Sequence, residues 1–155
     1  MKARTTRVLA LTIALALPGC APKHGGPVEI TLQRFFGACD AQYGNSTDVA
    51  AAEGECGIIT TLINRFNADN PDVHVRINIV FWPGYDQLSA ELAAGNPPDL
   101  VTMHESAISD FSQRHLIEPL DDGLKSVGVA PAEFTRAARE GVTRGSQVYA
   151  LPFDN

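Results

Sequence analysis

Trp82, the only tryptophan of the chain, and the aromatic residues Phe36 and Tyr85 carry flat faces that can stack on the apolar face of a bound molecule. Glu105, Ser106, Asp154 and Asn155 can exchange hydrogen bonds with the polar groups of such a molecule. This is the chemistry of holding a ligand. Each residue also has a plainer role. Trp82 and Tyr85 can pack a core or a helix, as Phe35 does, Glu105 suits the positive end of a helix dipole, and Asp154-Asn155 suits a turn. Patterns for turnover break off early. His104-Glu105 opens a zinc-protease motif that needs a histidine at 108, where Ile108 stands. Asp121-Asp122-Gly123 lacks the remaining ligands of a calcium loop. No G-x-S-x-G elbow and no P-loop occur. His74 and His115 read as surface histidines. No catalytic residue, metal ligand or cofactor is expected, and the chain reads as a binding protein, not an enzyme.

Periodicity shows which elements must position these groups. Residues 28–35 alternate apolar and polar and read as a first strand. Residues 37–57 are small and polar, a loop long enough to be functional or stapled. Apolar residues at 58, 59, 62, 63 and 66 trace a helical stripe that Asn70-Pro71 ends. Val73, Val75, Ile77 and Ile79 alternate in a second strand. Pro83-Gly84 then turns the chain into a helix with Tyr85, Leu88 and Leu92 on one face. Asp99 to Met103 reads as a short buried strand, and Ser106 as the cap of a helix carrying Ile108 and Phe111. Leu116 to Leu120 is an extended exit, Pro131 to Glu140 a further helix, and Gln147 to Leu151 a last strand. The alternation predicts an α/β domain with a largely parallel sheet. Ligands of such sheets sit beyond the carboxyl ends of the strands. That rule nominates the positions after Phe35, at Phe81-Trp82, at Met103 to Ser106 and at Phe153 to Asn155.

The chain begins MKARTTRVLALTIALALPGC. Lys2, Arg4 and Arg7 precede an apolar run from Val8 to Leu17, too short to span a bilayer and arranged as an export signal. Leu17-Pro18-Gly19-Cys20 resembles the lipobox of bacterial lipoproteins, which implies removal of residues 1–19, lipidation of Cys20 and a flexible tether over residues 20–27. The alternative is an ordinary signal peptide with an incidental Cys20. Loss of residues 1–19 takes three of the twelve basic residues and none of the eighteen acidic ones, leaving nine against eighteen, a net charge of −9 with histidines neutral. Such a surface suits neither nucleic acid nor anionic lipid, so membrane contact is expected through the anchor alone. No apolar stretch after the signal is long enough for a transmembrane helix. In an oxidising compartment Cys39 and Cys56 are expected to pair, closing a loop worth about 3 kcal/mol. Two free or metal-binding thiols are the alternative. Asn45-Ser46-Thr47 matches a glycosylation sequon, which carries little weight in a bacterial lipoprotein.

The order of segments resembles the extracellular solute-binding proteins of bacterial ABC importers, in the broad family that binds sugars. The resemblance rests on the lipobox, ITLQRFF, IITTLINRFNADNPDVHV, WPGYDQLSAELAAGNPPDLVTM, HLIEPLDD and VYALPFDN, in that order. It implies an α/β, periplasmic-binding-protein-like (type II) first lobe over residues 28–155, with the second lobe missing. It implies a lipid-anchored, extracytoplasmic monomer that captures a sugar or oligosaccharide for ABC permease subunits by closing about a hinge. Phe36, Trp82, Tyr85, Glu105, Ser106, Asp154 and Asn155 are then the expected ligand contacts. The 37–57 segment departs from the family, which turns directly from first strand to first helix, and it lies where it can shape or lid the site. A lipid-anchored cell-envelope hydrolase and a ligand-sensing module on the same fold are the rival functions.

Overall fold

A computed structural model describes residues 25–35, 37–82 and 84–152. The expectations for residues 1–24 (signal, Cys20 and the start of the tether), for Phe36 and for Phe153 to Asn155 lie outside the described residues.

The centre is a parallel sheet in the order β2-β1-β3, built from β1 (Val28–Arg34), β2 (Val73–Ile79) and β3 (Leu100–Val101). β1 pairs with β2 along its whole length, from Val28 opposite Val73 to Arg34 opposite Ile79. It meets β3 only at Leu32–Leu100 and Gln33–Val101. The crossovers are α2 (Gly54–Asp69) and α3 (Tyr85–Ala93), as the alternation predicts. α2 also closes the outer edge of β2. The Asn67 amide donates to the Val75 carbonyl at 2.9 Å and accepts the Val75 N–H at 2.8 Å, as a neighbouring strand would.

After β3 come α4 (Glu105–Gln113), α5 (Asp121–Ser126), α6 (Arg136–Val142) and an antiparallel hairpin of β4 (Thr143–Arg144) and β5 (Gln147–Val148). Two apolar clusters form the core. One joins Leu88, Ala107 and Phe111, the other Ile108, Leu124, Val142 and Val148, and Met103 and Ile117 pack against both.

Several local expectations are corrected. The 37–57 loop is partly helical: it holds α1 (Asp40–Tyr43) and a 3-10 turn at Val49–Ala51 capped by the Asp48 carboxylate, and α2 begins within it at Gly54. Cys39 and Cys56 are bonded as expected, with Cα atoms 5.9 Å apart. The expected apolar stripe of α2 is split: Ile58, Leu62 and Phe66 are 40, 45 and 43 % exposed, while Ile59 and Ile63 are half-buried. The residues α2 buries are Gly57, Thr60 and Thr61, whose small side chains allow close approach. Leu100 in β3 is also exposed, because β3 pairs on one side only among the described residues. Ser106 is inside α4, not its cap. His104 takes the N-cap place, and its carbonyl accepts the first helical bond from Ile108 at 3.0 Å. The helix expected over Pro131 to Glu140 divides into a 3-10 turn (Pro131–Glu133) and α6, because Thr135 caps α6 with a bond from the Ala138 N–H. The last strand is only two residues long.

Candidate functional site

The carboxyl ends of β1 and β2 bring together a set of rings. Phe35, buried at the end of β1, meets Trp82 edge-on at 5.2 Å between centroids and Tyr85 at 5.4 Å. Trp82 also meets the His104 ring edge-on at 4.2 Å, and Tyr85 tilts against Phe111 at 6.0 Å. Such contacts fix ring orientation through the aromatic quadrupole. Gly84 makes the cluster possible. Its φ is +65°, and a Cβ there would stand 2.7 Å from both the Phe35 ring and Val80. The Tyr85 hydroxyl accepts the His104 N–H at 2.9 Å, tying the start of α3 to the start of α4. Burial pushes the Tyr85 hydroxyl above its ordinary value of 10.0, and the bond from the His104 backbone works against that rise. Trp82 remains 49 % exposed and its neighbour Phe81 98 % exposed.

Beside this cluster lies a groove of about 840 Å³. Its lining includes Phe35, His104 and Glu105 near the strand ends, Pro97 to Val101 at and before β3, and residues of α6 together with Tyr149 to Pro152. Its charged lining residues are Glu55, Asp99, Glu105 and Glu118, with no lysine or arginine among them. A groove so lined repels an anion and accommodates neutral hydroxyls or a cation. Glu55 and Glu105 both stand in the first turn of a helix, α2 and α4, where the helix dipole favours their charge. Arg144 in β4 donates to the Glu105 carbonyl at 2.9 Å and fixes the start of α4. Among the described residues no cluster of histidine, cysteine and carboxylate side chains is placed to hold a metal.

The profile of bacterial extracellular solute-binding proteins matches residues 50–155, more than half of the chain. The chain belongs to that family. Among solved structures, this solute-binding protein is similar to CpMnBP1 with mannotriose bound, at 26 % identity and a TM-score of 0.62, covering 80 % of this chain and 28 % of the other. It is also similar to an ABC substrate-binding protein from Listeria monocytogenes in complex with cycloalternan, at 15 % identity and a TM-score of 0.59, covering 79 % of this chain and 28 % of the other. A third is the galacto-N-biose-/lacto-N-biose I-binding protein of an ABC transporter from Bifidobacterium longum, in complex with lacto-N-biose. There the identity is 18 % and the TM-score 0.59, over 82 % of this chain and 28 % of the other. No curated protein matches. The solute-binding protein thus spans less than a third of the length of these structures, and its α/β fold is that of part of a type II periplasmic binding protein lobe.

Within this solute-binding protein the expected contacts are distributed unevenly. Trp82, Tyr85 and Glu105 gather at the carboxyl ends of the strands, Glu105 lining the groove and the two rings standing beside it. Ser106 is exposed on α4 and is not part of the groove lining. Phe36, Asp154 and Asn155 lie outside the described residues. Three further residues belong to the same place. Phe81 and His104 fall within the stretches that the strand-end rule nominates, and the fold brings the His104 ring to Trp82. Glu55 lay inside a stretch read as loop.

Proposed function

We propose that this chain belongs to a lipid-anchored, extracytoplasmic solute-binding subunit of an ABC importer, and that its ligand is a neutral sugar or oligosaccharide. The observation that carries the reading is the half-exposed Trp82 indole at the strand ends, beside a groove whose only charged lining residues are carboxylates. Sugars present flat C–H faces to rings and hydroxyl groups to carboxylates, and both are on offer here. The oligosaccharides in the similar solved structures support the same ligand class. Capture proceeds by closure of two lobes about a hinge, driven by contacts made only in the closed form. Cys20 holds the protein at the membrane, next to the permease subunits that receive the ligand. No helix among the described residues is long and apolar enough to cross a membrane.

Calorimetry of the full-length protein with mannotriose, lacto-N-biose and cycloalternan tests the ligand class, with an anionic sugar as control. One neutral class binds, raises thermal stability by about 2.7 kcal/mol at a hundredfold excess over Kd, and is recovered intact. Released product would replace the binding reading with the hydrolase one. Cys20→Ser should move the protein from the membrane fraction to the soluble one; retention in the membrane would overturn the anchor.

A further inference from the structure

The 37–57 segment is fastened far more firmly than a surface loop requires. The Cys39–Cys56 bond joins its two ends. The Asn64 amide of α2 donates to the carbonyls of Tyr43, Gly44 and Ser46 at 2.9, 3.1 and 2.9 Å. The Tyr43 hydroxyl accepts the Glu53 N–H at 3.3 Å, and the Tyr43 ring lies so close over Gly57 that a Cβ there would stand 2.7 Å from it. These attachments flank one residue, Glu55, on both sides. Glu55 is the one member of the segment that lines the groove.

Its carboxylate is held from beneath as well. Arg34, at the carboxyl end of β1 and only 2 % exposed, donates from Nη2 to Glu55 Oε1 at 3.1 Å, while the Glu55 side chain remains 41 % exposed. Glu55 Oε2 makes no bond to a described residue, and Arg34 Nη1 is buried with no partner among the described residues. A buried guanidinium with an unmatched donor is costly, and a surface ion pair alone contributes little to stability. The arrangement is that of a pre-oriented acceptor on a rigid mount, which is what an ordered hydrogen-bond contact to a ligand needs.

We infer that Glu55 is a specificity-determining ligand contact, its free carboxylate oxygen accepting a hydroxyl of the bound glycan, with Arg34 and the disulfide-stapled segment as its positioning elements. This rests on the glycan-binding reading above and adds a residue to it. The substrate feature selected is a neutral hydroxyl donor on the part of the ligand nearest the end of β1.

The test is a cycle on the full-length, oxidised protein, using wild type and Glu55→Gln against mannotriose and its monodeoxy derivatives, with lacto-N-biose and its monodeoxy derivatives as a second series. Glu55→Gln keeps an acceptor for Arg34, and circular dichroism with thermal melting reports its folding. One deoxy position should cost wild type about tenfold in affinity and cost Glu55→Gln clearly less, since the variant replaces a charged acceptor facing that hydroxyl with a neutral amide donor. Should Glu55→Gln fail to fold, Glu55→Asp serves the same cycle, because it keeps the charge and withdraws the oxygen by one methylene. Equal losses in wild type and variant at every deoxy position would overturn the inference and leave glycan binding intact. Binding of neither series and of no other neutral glycan by wild type would overturn the glycan reading itself, and this inference with it.

Discussion

Trp82 remains half exposed while it packs at near right angles against Phe35 and His104. The exposed part of the indole offers stacking surface to a sugar, so Trp82→Ala should weaken glycan binding by about 1–3 kcal/mol. Its melting temperature should change little. Unchanged affinity with a clearly lowered melting temperature would assign Trp82 to packing. Tyr85 is bound into the scaffold through its hydroxyl, and its folded-state pKa lies above 10.0. The fold therefore favours the protonated phenol. That contribution is fully present below the unfolded value of 10.0 and is lost as pH rises from there through the higher folded value. Tyr85→Phe should cost about 0.5–1.5 kcal/mol at neutral pH, through the lost acceptor for His104. Between wild type and variant the gap should narrow above pH 10, read by denaturant unfolding across the alkaline range; a constant gap would sink the argument. Trp82 and Tyr85 were legible because an aromatic next to a strand end is visible in a string of letters. The strand-end rule reached the position of His104 but not its part, a backbone N–H and a ring meeting residues about twenty positions earlier.

The elements explain which expectations held. β1 and β2 were legible from seven-residue alternation, and their parallel register follows from α2 between them. α2 misled in its facing. Its large apolar residues suggested a buried stripe, yet the fully buried residues of α2 are Gly57, Thr60 and Thr61, and the Tyr43 ring of the inserted segment lies against Gly57. Sequence periodicity marks that a helix has two faces, and packing against an inserted segment decides which is covered. β3 fell short for a related reason: two residues pair where five were expected, since only one side of it has a partner among the described residues. Two substitutions test the elements. Gly84→Ala forces a positive φ on a Cβ and drives that atom towards Phe35 and Val80, so a loss of about 2–4 kcal/mol is expected by denaturant unfolding. A loss under about 1 kcal/mol would mean that the turn has room to adjust. Cys39→Ser with Cys56→Ser opens a loop of 17 residues and should cost about 3 kcal/mol. If the segment's hydrogen bonds hold it unaided, the double variant will melt with wild type.

At the scale of the whole molecule, charge is the property that separates ligand classes. With residues 1–19 removed the chain carries nine basic and eighteen acidic residues, and the groove lining repeats the bias with four carboxylates and no cation. An anionic ligand would enter against the field of the groove lining, and its binding would strengthen as added salt screened the repulsion. A cationic ligand would be drawn in and would weaken with salt. A neutral oligosaccharide makes only short hydrogen bonds and stacking contacts, which salt barely touches. Affinity for mannotriose or lacto-N-biose is therefore expected to change less than about twofold between roughly 0.02 M and 0.5 M sodium chloride, where the screening length falls from over 20 Å to about 4 Å. Titration calorimetry at four salt concentrations reads this directly. A change well beyond twofold for either glycan, in either direction, would mean that long-range charge governs its binding and would overturn the argument that only short-range contacts hold a neutral glycan in the groove.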